Sequence, residues 1–244
     1  MVELTADHEQ PLVAEQVFRL RTVGLMTAVW AASFVVIMAG LFREWYVTAF
    51  GVETIAQDLR HLAFNAEYCL PAWYTSLLLA ISAALLALVT SSTARSGERY
   101  LFHWAGLALI FLGLSIDEAT GIHEVAIEPL RNGLDLGGYA YFGWVLPGMA
   151  LVTLAGLIYL PFLLAQPDRT RRIFFLAGLV YVGGALGMEL VGGKLLTLYG
   201  ETSLPYQIAY CTEEIMEILG VTLFVSGLLG HLKRHYGGAV LVIA

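Results

Sequence analysis

The chain has 244 residues, of which 58% are hydrophobic and 14% charged, with a mean hydropathy of +0.73. A soluble domain carries roughly 25% charged residues, and the apolar residues here form unbroken blocks longer than the ~18 that mark a membrane-crossing helix. Twenty acids against 13 Lys and Arg give a formal charge of −7 with no basic block, which excludes a nucleic-acid binder; disulfide scaffolds and disordered tails are excluded as well.

Residues 1–20 hold four acids and lack the basic start of a secretory signal. The first span is therefore expected to stay as an uncleaved anchor. Windows of about 19 residues place six spans at 22–42, 68–90, 100–123, 144–165, 172–195 and 210–231. The apolar runs are continuous and no half-buried strand pattern occurs, which favours helices over a barrel. The expected fold is all-α: one integral membrane domain over 1–244, a polytopic bundle of six transmembrane helices. The tail, 232–244, is apolar at its end but too short to cross.

Nine of the 13 Lys and Arg fall in 1–21, the 91–99 and 166–172 connections and the tail if both termini are cytoplasmic. Only Arg43, Arg60, Arg131 and Lys194 then lie outside, and the positive-inside tendency sets that orientation in an inner or plasma membrane. The aromatic belt around Trp45, Trp73, Tyr141 and Trp144 is an ordinary interfacial anchor.

The acids carry the chemical information. Apart from the N-terminal segment, Glu98 and Asp168, all 14 fall in the outer loops or outer halves of the spans. Three groups lie in apolar sequence: GLSIDEATGIHE in the third span, GALGMELVGG in the fifth and YCTEEIMEILG in the sixth. Mid-span acids cost roughly 2.5–3.5 kcal/mol each on insertion scales, so they mark function by default. At 1.5 Å per residue, Asp117 and Glu189 stand about 25 Å from the inner ends, Glu213 about 27 Å and Glu217 about 21 Å. Glu67 caps the second span near the same level. Asp117, Gly121, Glu124 and Glu128 share one stripe of a continuous helix, with His123 beside it, whereas Glu118 points about 100° away.

So many carboxylates in a low dielectric require protons or a cation. Oxygen-rich sites with an imidazole suit Fe, Mn or Zn. The expected ligands of one or two divalent transition-metal ions are Asp117, His123, Glu124, Glu189, Glu213, Glu217 and Glu67, with Glu118 or Glu214 as the catalytic base. The geometry is analogous to carboxylate di-metal bundles, but no Glu-x-x-His is present and His61 is the one further candidate ligand. The plainer account is acids meeting water at helix ends or capping helix N-termini.

The expected function is a metal-dependent enzyme hydrolysing or oxidising a lipid or other hydrophobic substrate, its site facing the outer side. Two alternatives are a cation or proton transporter and a non-catalytic subunit or assembly factor. The glycines of the fifth span, at 178, 183, 184, 187, 192 and 193, fit close helix packing or a locally opened backbone near Glu189. Cys69 and Cys211 fall at the same end and are candidates for a disulfide, with buried free thiols as the default.

Overall fold

The computed structural model describes residues 16–19, 22–51, 55–66, 68–235 and 240–243. Its helices, in chain order, are α1 (Thr22–Phe50), a 3-10 turn (Ile55–Leu62), α2 (Leu70–Ser96), α3 (Leu101–Thr120), α4 (Ile122–Val125) and α5 (Ile127–Gly133). A short 3-10 turn (Gly138–Ala140), α6 (Val145–Leu164), α7 (Asp168–Val182), a π turn (Gly183–Met188), α8 (Glu189–Tyr199) and α9 (Leu204–His235) follow. Six helices are long and apolar enough to cross a membrane, the fifth running without interruption from Asp168 to Tyr199. The bundle is all-helical. Among the described residues, the one strand-like feature is a four-residue antiparallel pairing of Gln16–Arg19 with Val240–Ile243, which the sequence pattern does not announce.

Helix boundaries follow local chemistry. Pro71 sits in the first turn of α2, where its missing N–H costs nothing, and the Cys69 sulfur accepts from Ala72 N–H. Gly97 ends α2 with φ 67°, its N–H bonded to the Thr93 carbonyl. The spans extend past their apolar stretches, α1 reaching Phe50 rather than 42 and α9 reaching back to Leu204 rather than 210.

The sixth span is the axle of the bundle. Its apolar window is 67% buried, against 11% in α3 and α6, which face outward over most of their surface. α9 packs against α1, α2, α7 and α8. The core joins Leu78, Leu79, Leu86 and Val89 of α2 to Ile218, Val221, Val225 and Leu228 of α9. Glycine lets the fifth span press on α9: a Cβ at Gly220 would lie 2.6 Å from Tyr181 N, and one at Gly184 would lie 2.9 Å from the Glu213 carbonyl.

Hydroxyl pairs tie the spans laterally. Ser33 meets Tyr74 Oη at 2.9 Å and Thr222 at 2.6 Å, linking α1, α2 and α9. Ser76 donates to the Ser115 carbonyl at 2.8 Å and Ser115 to that of Ser76 at 2.9 Å, linking α2 to α3. Interhelical bonds of this kind contribute about 0.6 kcal/mol each in a bilayer.

Candidate acid–base site

The third span does not continue through His123. Gly121 takes φ 62°, its N–H caps the Asp117 carbonyl at 2.7 Å, and the chain turns before restarting as α4. That turn folds His123 back onto Asp117. Carboxylate Oδ1 accepts the His123 backbone N–H at 2.9 Å, and Oδ2 meets Nδ1 at 2.8 Å. The expected stripe of Asp117, Gly121, Glu124 and Glu128 assumed a regular helix and is broken here. Glu124 is exposed, and Glu128 is 79% exposed and 3.9 Å from Arg131.

Burial pulls the His123 imidazole toward the neutral form, but the hydrogen bond and charge of Asp117, aided by Glu189 and Glu124, outweigh it. The net result holds His123 above its ordinary value of 6.5. The ring also packs on Trp144, with centroids 4.7 Å apart.

Trp144 carries the arrangement across to the fifth span, donating its indole N–H to Glu189 Oε1 at 3.0 Å. Glu189 opens α8 directly after the π turn, where one extra residue widens the helix. Such bulges recur at functional sites. Gly184 and Gly193 serve close approach, and the 183–188 segment stays helical as a π turn within a continuous fifth span. Glu189 faces Glu213 of α9.

One turn further along α9, Glu217 is 8% exposed, with Glu118 its foremost electrostatic neighbour, followed by Glu214, Glu189 and Asp117. Asp117 and Glu118 thus serve two sides of one site, Asp117 toward His123 and Glu118 toward Glu217. The structure brings together Asp117, Glu118, His123, Glu189, Glu213, Glu214 and Glu217. Glu67 lies outside the described residues, and His61 is exposed on the Ile55–Leu62 turn. Among the described residues, no three His, Cys, Asp or Glu side chains gather into a metal-holding set. Two outer cations lie over aromatic rings: Arg131 stands 4.5 Å from the Tyr141 centroid and Lys194 5.6 Å from that of Tyr139.

Three features escaped the sequence reading. Glu44, 4% exposed, bonds Arg43 at 2.9 Å, Tyr210 Oη at 2.8 Å, Gln207 at 3.2 Å and Phe64 N–H at 3.3 Å. A first span ending at 42 leaves Glu44 in a loop, whereas α1 continues to Phe50 and carries it. Second, Tyr181 of α7 lies within electrostatic reach of Glu217, Glu118, Asp117 and Glu214. Third, Tyr181 also lines an apolar cavity of about 200 Å³, whose walls include Leu107 and Phe111 of α3, Phe162 of α6 and Phe224 of α9. The cysteines are free, and burial pushes the Cys69 thiol up to about 11.

A family described as a domain of unknown function, DUF8692, matches residues 16–232. The chain belongs to that family. The match takes in all six spans and every residue of the acid–base site. No curated protein and no solved structure matches the chain.

Proposed function

We propose that this DUF8692 member is a membrane enzyme acting on an amphipathic, lipid-like substrate. Both termini are cytoplasmic, by the distribution of Lys and Arg. The acid–base site then sits in the outer leaflet of an inner or plasma membrane. The observation that carries the reading is Tyr181, which borders the apolar cavity on one side and the carboxylates on the other. A substrate with its chain in the cavity presents its polar end to the acids.

Asp117 fixes the His123 imidazole through Nδ1 and directs Nε2 away from itself. That is how an Asp–His pair prepares a general base. The neighbouring carboxyls of Glu189 and Glu213 are the candidate proton donors to a leaving group, and Glu118 and Glu214 flank the buried Glu217 as further candidate bases. Hydrolysis or oxidation of the substrate's polar end is the reaction class this equipment suits.

Incubating the reconstituted protein with membrane lipid extract and following all species by mass spectrometry tests the reading. A lipid consumed by wild type and spared by His123→Ala supports it. Identical turnover by His123→Ala sinks it.

A second reading places a divalent Fe, Mn or Zn ion at His123. A metal-ligating histidine commonly donates its other ring nitrogen to a carboxylate, as Asp117 allows. Metal analysis of wild type beside His123→Ala separates the readings. Transport of a cation or proton draws support from the π turn that ends directly before Glu189, a helix irregularity of a kind that recurs at functional sites. Vesicle flux abolished by Glu189→Gln would favour it.

A further inference from the structure

We infer that Glu118, Glu214 and Glu217, beside Thr75, receive the ammonium head of a long-chain amine whose tail lies in the apolar cavity. The inference rests on the reading above, that the cavity holds the apolar part of a substrate.

The deciding residue is Thr75. Hydroxyls inside these spans habitually bond back to the carbonyl four residues earlier, as Ser82 does to Leu78 and Thr90 to Leu86. Thr75 is fully buried, and among the described residues its Oγ1 has no hydrogen-bond partner. Its direction follows from its neighbours on α2. Tyr74 reaches the α1 side, bonding Ser33 and the Val29 carbonyl, and Ser76 reaches α3. At 100° per residue Thr75 points between them, toward α9, whose Glu214 and Glu217 stand at this end of the bundle with Glu118 of α3.

The chemistry of that corner selects the head group. An ammonium offers three N–H donors and no acceptor, matching one hydroxyl lone pair and the surrounding carboxylates. A phosphate or carboxylate head would add like charge to a buried acid group. A transition metal asks for several ligands converging at about 2.0–2.3 Å, and the described residues gather no such set. Ammonium hydrogen bonds are longer and tolerate a looser ring of acceptors.

The tail side is shaped to match. The cavity is walled almost wholly by apolar atoms and exceeds the roughly 150 Å³ that holds a benzene. Gly178 lies in its wall on the exposed side of α7, and a Cβ built there meets nothing within 4 Å. Gly178→Leu should therefore narrow the open side of the cavity without disturbing the packing.

Equilibrium binding of radiolabelled dodecylamine to the full chain in nanodiscs of uncharged lipid, with empty discs subtracted, tests the inference. Dodecanol and dodecanoate should compete at least tenfold more weakly than unlabelled dodecylamine. Butylamine should also be weaker, by about fourfold for each buried methylene lost. Gly178→Leu, Glu217→Gln and Thr75→Val should each weaken dodecylamine about tenfold or more. Thr75→Val, a near-isosteric change, carries the test if Glu217→Gln does not fold. Dodecanol competing as well as the amine, or unchanged affinity in Thr75→Val, overturns the ammonium assignment. If butylamine binds as well as dodecylamine and Gly178→Leu changes nothing, the cavity reading itself fails.

Discussion

Asp117 holds His123 twice across the Gly121 turn, at 2.9 Å through the backbone nitrogen and at 2.8 Å through Nδ1. One carboxylate thereby fixes both the path of the chain leaving the third span and the tautomer of its imidazole. The remaining geometry follows from that clamp, because Trp144 packs on the ring it positions and reaches Glu189.

The clamp sets a pH dependence. His123 is held above 6.5 in the folded protein, so the stability it contributes is fully present below the unfolded value. It is lost as pH rises through the raised folded value. Asp117→Asn should lower the His123 value, read as a midpoint moved to lower pH in an imidazole NMR titration. It should also cost about 2 kcal/mol of stability at pH 6, by loss of a charge-assisted bond, and less at pH 8. An unmoved midpoint contradicts the clamp.

Gly121 is the residue that permits the turn. Its φ of 62° lies in the left-handed region, so Gly121→Ala should cost about 1–2 kcal/mol and loosen His123. Thermal unfolding reports the first effect, and loss of the Trp144–His123 contact in fluorescence quenching reports the second.

Two glycines of the α7–α9 region should respond oppositely to enlargement. Gly220→Ala forces a methyl against the Tyr181 backbone and should destabilise by about 1–3 kcal/mol. Gly178→Leu meets open space on the exposed side of α7 and should leave unfolding within about 0.5 kcal/mol of wild type while obstructing the open side of the cavity.

The six spans were legible because apolar length alone marks a crossing helix, and so was the concentration of acids at one end. The partnership of Asp117 with His123 was not. It depends on a single left-handed residue, and projecting a straight helix through Gly121 sent His123 beside the stripe and Glu124 into it. The sequence does carry a cue: a glycine directly after the apolar run at Thr120 is a common helix stop. Glu44 was hidden by an opposite error, since α1 continues through Arg43 and Glu44 and buries that acid against Gln207 and Tyr210. The cavity and the orphaned Thr75 hydroxyl are properties of shape among five helices, which no linear pattern records.

Glu44 should matter for assembly of the bundle rather than for chemistry. Glu44→Ala removes four polar contacts joining α1, α9 and the segment at Phe64. A loss of about 2–3 kcal/mol is expected, with lipid turnover per folded molecule unchanged.

Cys69 should be inert near neutrality. Its thiol is pushed up to about 11, so maleimide labelling should be slow at pH 7.5 and accelerate as pH rises toward that value. The mass of the unreduced protein should show both thiols free.

Native mass spectrometry of wild type and Gly178→Leu released from lipid nanodiscs tests the central claim most directly. The account predicts a single amphiphile retained by wild type, also retained by His123→Ala, and lost from Gly178→Leu. An amphiphile bound equally by Gly178→Leu, or none bound by wild type, would contradict it.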